Sequence, residues 1–246
     1  MSQTLTKPFD NPVKSTPSGL MLVNKPAGVT SFDLVKALRR KLHVKTIGHA
    51  GTLDPFATGV MILLVGREYT KKSDTFLNDS KEYTCTIKLG EQTNTFDCDG
   101  EIISASGIRP SDEEVQKAVD TFQGEIEQTP PMFSAKKING KKLCNLARQG
   151  IVVERKSVTL TVTTTLIDYT YPYIQAHIKC SKGTYIRSIA DDMGKLLQCG
   201  AHLSKLCRVK SGQFSLEECI DGNLLFDKES DLLPYLRQSI YTNCIK

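Results

Sequence analysis

At 246 residues, with 39% hydrophobic content and no tryptophan, the chain has apolar material for one large domain or two small ones. A net charge of +5 permits a polyanionic partner without requiring one, and no apolar run approaches the length of a membrane span. The eight cysteines are irregularly spaced without a C-x-x-C pair, which argues against a zinc ribbon or a disulfide framework and fits a soluble, cytoplasmic protein with reduced thiols.

Residues 1–18 are polar and dotted with proline; lacking the apolar segment of a signal peptide, they read as a flexible arm. The run GLMLV at 19–23 predicts a short strand, followed by a turn through Lys25, Pro26 and Gly28. Thr30 and Asp33 fit a capping box, and Phe32, Val35, Leu38 and Leu42 give the next helix an inward stripe, with Lys36, Arg39 and Arg40 opposite. The wholly apolar run 60–65 predicts a buried strand. At 83–89, Tyr83, Cys85, Ile87 and Leu89 alternate with polar residues, as a half-buried strand requires. A second helix is predicted from Ser111, boxed by Glu114, with Val115, Ala118, Val119 and Phe122 inward.

Residues 129–156 differ in composition. Two prolines open the stretch, and Lys136, Lys137, Lys141, Lys142, Arg148, Arg155 and Lys156 charge it with few acids between. A solvated surface and a nucleic-acid-contacting insertion both account for it. Two alternating segments, 157–166 and 173–180, predict a β-pair. A glycine turn then leads into a helix with Ile186, Ile189, Ala190, Met193 and Leu197 inward, stopped by Gly200. One or two strands follow at 203–216, and a short mixed tail from 223 to 246. Strands and helices interleave without regular βαβ spacing, so the predicted fold is α/β with a mixed, mainly antiparallel sheet.

Most standard sites are missing from the sequence. There is no phosphate-binding glycine loop, no G-x-S-x-G elbow, and no H-x-x-x-H among four scattered histidines. What remains is GHAGTLDPFATGV at 48–60, which sets Asp54 on the threshold of a buried strand. Asp54-Pro55 can simply start a turn. It can also carry a nucleophile, provided that a fixed cation keeps the carboxylate ionised in a dry pocket. Arg187, at the head of the later helix, is a candidate for that cation and equally a plain surface residue.

Five stretches decide between these readings: GLMLVNKPAGVTS, GHAGTLDPFATGVMILLVG, KEYTCTIKLGEQTNTFDCDGEI, QTPPMFSAKKINGKKLCNLARQG and CSKGTYIRSIADDMGKLLQCGAHLSKLCR. In this order they resemble the TruB-type tRNA pseudouridine synthases, over about residues 19–215. The resemblance implies the pseudouridine synthase fold, with a catalytic domain at 19–222 and an RNA-binding insertion at 129–156. It implies isomerisation of uridine at position 55 of the T-loop of tRNA, by base flipping and covalent catalysis, with no cofactor and no metal. It also implies roles for single residues. Asp54 is the nucleophile, Arg187 its ionic partner and Tyr83 the base-stacking platform. His49 fills the gap left in the loop, Tyr185 and Leu206 contact the substrate, and Lys25 supports the site. Arg39, Arg40, Lys136, Lys137, Lys141, Lys142 and Arg148 are the expected RNA contacts. A T-stem–loop is the expected partner of a monomer without an obligate protein partner. The family's C-terminal PUA module is expected to be absent, since the chain ends near where it would begin. A non-catalytic tRNA-binding or folding protein and a synthase for another RNA are the competing readings.

Overall fold

A computed structural model describes residues 16–138 and 140–238, so the expected arm, but for its last three residues, and the end of the expected tail lie outside the described residues. The chain runs β1 (Gly19–Lys25), α1 (Ser31–Leu42), β2 (Ile47–Ala50), β3 (Thr58–Val65), α2 (Arg67–Thr70), α3 (Ser73–Leu77) and β4 (Lys81–Leu89). A hairpin of β5 (Glu91–Thr93) and β6 (Ile102–Ala105) precedes α4 (Asp112–Asp120) and β7 (Gln123–Gln128). The basic stretch holds β8 (Lys137–Ile138), β9 (Lys141–Lys142) and α5 (Leu143–Ala147). Then come β10 (Val158–Thr170), β11 (Tyr173–Cys180), α6 (Ile186–Leu196), β12 (Ala201–Ser211), β13 (Phe214–Ser215) and β14 (Ile220–Asp221).

One sheet carries ten of these strands, in the order β14-β1-β3-β12-β4-β11-β10-β7, with β13 on β12 and β2 on β3. Among the described residues only the β1–β14 and β3–β12 strand pairs are parallel, so the sheet is mixed and mainly antiparallel as the sequence predicts. Side chains of α1, α4 and α6 share one apolar core with alternate strand residues such as Met61, Ile87 and Ile178. On the other side of β1 and β3, Leu20, Ile62 and Leu64 meet Tyr69 and Phe76 from α2 and α3. Burial on both faces explains why residues 60–65 are apolar without alternation.

Both capping boxes form, Thr30 with Asp33 and Ser111 with Glu114. The α1 stripe, however, differs from the expected one. Phe32 is 48% exposed, with Lys36 Nζ and Arg39 Cζ 5.1 and 5.7 Å from its ring centroid, and Leu34 is buried in its stead. The rotation follows from Ser31, which turns inward to exchange two hydrogen bonds with the Leu53 backbone.

Candidate active site

Asp54 lies in the loop from β2 to β3, and a set of buried donors shapes that loop. Lys25 Nζ, fully buried at the end of β1, donates to the carbonyls of Pro26 (2.8 Å), Pro55 (3.0 Å) and Ala57 (2.6 Å). Burial foremost lowers its pKa to about 8, while neighbouring Asp54 acts to raise it. The Gly28 N–H also donates to Pro55 O, at 2.9 Å. Two glycines are obligatory. Gly51 holds φ +86° directly against the Arg208 guanidinium, and a Cβ on Gly59 would stand 2.3 Å from the Arg208 carbonyl where β3 meets β12.

Arg187, in the first turn of α6, reaches this loop. Its Nε is 2.9 Å from Asp54 Oδ2 and its Nη2 donates to Asp54 Oδ1 at 3.2 Å, a two-pronged contact. Nη2 also donates to Phe133 O (2.8 Å) and Nη1 to Thr95 O (3.0 Å), while Nη1 lies 3.2 Å from Asp97 Oδ2 in an ion pair. Three hydrogen bonds and ion pairs to two carboxylates thus converge on one guanidinium, a set of differently placed partners that suits its planar fork. The Arg187 side chain is 5% exposed and that of Asp97 7%. Asp54 keeps 35% of its side chain open, yet the surrounding protein volume withdraws enough solvent to push its pKa above the ordinary carboxylate value. Arg187 opposes that rise, and Asp97 adds to it.

Tyr83 is buried on β4, on the face that also carries Leu206 of β12. Leu206 lines a cavity of about 420 Å³ together with Ala27, Phe56, Cys85 and Thr86, whereas Asp54 and Tyr83 are not in its walls. His49 is half-buried on β2, its Nδ1 buried without a hydrogen-bond partner among the described residues. Burial foremost, and then the nearby Arg208, depress its pKa. Tyr185 caps α6, where Gln128 holds its backbone N–H (2.8 Å) and carbonyl (3.1 Å). Lys136, Lys137, Lys141, Lys142, Arg148 and Arg40 are exposed, but Arg39 is half-buried and donates to Ile47 O at 2.7 Å.

Sequence reasoning passed over Asp97, Gln128 and Arg208. Asp97 had a readable signal, since it lies in the acid- and glycine-bearing stretch TNTFDCDG beside a strand already assigned. The other two stand at the ends of stretches that carry the resemblance, Gln128 opening QTPPMF and Arg208 closing LSKLCR, but no role was read from them there.

The family model described as TruB family pseudouridylate synthase, N-terminal domain, matches residues 39–186, and that of the tRNA pseudouridylate synthase B C-terminal domain matches 187–240. The chain belongs to the TruB family of pseudouridylate synthases. It is an isomerase of that family. Among curated relatives it is 56% identical over 223 residues to tRNA pseudouridine synthase B of Protochlamydia amoebophila (strain UWE25), spanning 89% of this chain and 85% of that protein. To the protein of the same name from Chlamydia trachomatis serovar L2 it is 53% identical over 221 residues, covering 90% of this chain and 92% of the relative. Among solved structures, a crystal structure of a Cbf5-Nop10-Gar1 complex matches with a TM-score of 0.66 at 27% identity. That match covers 85% of this chain but 54% of the other, so the chain spans about half the length of that neighbour. The two TruB family models meet between Ile186 and Arg187, so the Asp54–Arg187 pair joins a residue from each.

Proposed function

We propose that this TruB-family enzyme isomerises uridine to pseudouridine at position 55 in the T-loop of tRNA, with Asp54 as nucleophile. The observation that carries this reading is the two-pronged Asp54–Arg187 pair at 2.9 and 3.2 Å, in a chain whose curated relatives are named tRNA pseudouridine synthase B. A uridine inside a folded loop must leave its stack, at a cost of a few kcal/mol, before a carboxylate can reach it. Tyr83 then supplies an aromatic platform, Leu206 an apolar wall, and the His49 ring a filler for the vacated stack. An anionic carboxylate can attack either the electron-poor C1′ of the ribose or C6 of the uracil. The freed base must turn and rejoin through C5 before it diffuses away. The enzyme works in the cytoplasm as a monomer, without cofactor or metal. Tritium release from C5-labelled uridine in a T-stem–loop transcript tests this directly. Release in proportion to enzyme is the expected result, and none from pure, folded protein would leave a tRNA-binding protein without catalysis.

Tyr83 separates chemistry from affinity. Tyr83→Ala removes a stacking platform worth roughly 1–3 kcal/mol per base, so turnover should drop by about ten- to a hundredfold while tRNA affinity, dominated by phosphate contacts, changes little. Single-turnover rates and filter binding on the same transcript measure both. A loss confined to affinity would remove Tyr83 from the reacting base.

The basic insertion is the proposed grip. Lys137 stands directly opposite Lys142 in the β8–β9 hairpin, and like charges facing across a strand pair are unfavourable without an anion between them. Among the described residues no carboxylate pairs with Lys136, Lys137, Lys141 or Lys142. The exposed Phe32, flanked by Lys36 and Arg39, extends the same kind of surface on α1. Replacing the four lysines by glutamine should weaken binding and flatten the slope of log K against log salt by about 3, since each phosphate contact adds about 0.7–0.9. An unchanged slope would place the grip elsewhere.

A further inference from the structure

Arg208 is 1% exposed and among the largest fully buried side chains, yet among the described residues no carboxylate lies within ion-pair distance of it. A buried guanidinium is expensive unless it is paired or saturated with acceptors. Here the acceptors are neutral and all belong to the catalytic elements. Nε donates to Val60 O at 2.8 Å, just past the nucleophile loop on β3, and Nη2 donates to Gly51 O at 3.2 Å, where that loop begins. Arg208 is also the direct cross-strand partner of Tyr83, on the same face of the sheet, with its guanidinium beside the phenol hydroxyl. Gly51 has no side chain, and a Cβ there would come within 3.2 Å of Nη1. One buried cation thus touches both ends of the loop that presents Asp54 and the tyrosine that faces the proposed substrate.

We propose that Arg208 is a positioning residue for pseudouridine formation: it fixes the Tyr83 hydroxyl and the Gly51–Val60 loop in one frame, so that base platform and nucleophile stand in register. The proposal rests on the reading of Asp54 and Tyr83 given above. It explains why an arginine, and not an apolar residue, occupies this core position. A methionine would remove the donors that the carbonyls of Gly51 and Val60 have in Arg208, and a lysine's single ammonium could not reproduce the fork that serves both from different nitrogens. The field of the unpaired cation also acts to lower the pKa values of His49, Lys25 and Tyr83, against burial in the case of the tyrosine.

The test is a double-variant cycle on a T-stem–loop transcript, with single-turnover pseudouridine formation and tRNA affinity read together. Arg208→Lys should slow the chemical step by about ten- to a hundredfold, the scale of a hydrogen bond to a charged group, at unchanged affinity. In a Tyr83→Phe background the same substitution should cost less than about threefold, because the hydroxyl it positions is gone. Equal costs in both backgrounds, or a loss confined to affinity, would overturn the proposal. Should Arg208→Lys not fold, the wild-type and Tyr83→Phe proteins labelled with ¹⁵N-arginine still decide it. Removal of the hydroxyl should shift one guanidinium resonance that exchanges slowly with water, and spectra without such a shift refute the contact. If the wild-type enzyme forms no pseudouridine in the stem–loop, the functional reading fails while this spectral result still stands or falls separately.

Discussion

Asp54→Asn should reduce pseudouridine formation by at least about 10⁴-fold, the scale on which loss of a covalent nucleophile acts, and leave tRNA affinity nearly unchanged. The amide keeps the size and polarity of the side chain but cannot form the covalent bond. Stability should move the other way. Because burial raises the Asp54 pKa in the folded state, ionisation of this carboxylate disfavours folding. Its favourable contribution is complete below the unfolded value of 3.8 and is lost as pH rises through the raised folded value. At neutral pH the asparagine variant should therefore melt at or above the wild-type temperature, and the gap should close in acid. Arg187 stays anchored in the variant, since Asp97, Thr95 O and Phe133 O still accept from it. Turnover near wild type by tritium release would remove Asp54 from the mechanism. A large drop in melting temperature would mean that the carboxylate holds the fold together.

What was legible in the sequence was mostly local. Capping boxes at Thr30 and Ser111 involve residues three apart, and the alternation of Tyr83 to Leu89 depends on one strand alone. The helix behind Arg187 was readable for the same reason. Contacts made at long range were not. Phe32 and Leu34 both satisfy a helical stripe, and the choice between them is made by a hydrogen bond from Ser31 to Leu53, 22 residues away. β2 holds a glycine and a histidine in four residues, a poor strand by composition that exists because β3 offers it an edge. Asp97 reaches Arg187 because its segment bridges to Leu203 of β12, a pairing that no spacing announces. Arg208 falls on an inward position of its strand, where charge normally argues against burial.

Arg187→Met should abolish activity near neutral pH and shift the acid limb of the rate to higher pH. Asp54 must be ionised to attack, and in the wild type its pKa already lies above the ordinary carboxylate value through burial, with Asp97 pushing the same way and Arg187 pulling it back. Without the guanidinium only the upward influences remain, so the limb should rise and part of the lost rate should return in alkali. The substitution also orphans the carbonyls of Thr95 and Phe133 and leaves the buried Asp97 carboxylate without its cation, at a stability cost of about 3–5 kcal/mol. Arg187→Lys controls for that loss. It retains one positive charge but cannot serve acceptors on Asp54, Asp97, Thr95 and Phe133 together, so the limb should move less while the rate still falls by about a hundredfold, the loss expected from two or so charge-assisted hydrogen bonds. Single-turnover rates from about pH 5 to about pH 9 give the limb for all three proteins, and melting curves taken in parallel show which remain folded. If the limb of the methionine variant stays at the wild-type position while the protein is folded, Arg187 does not set the ionisation of Asp54, and its contribution is confined to holding the Phe133 and Thr95 segments against the catalytic loop.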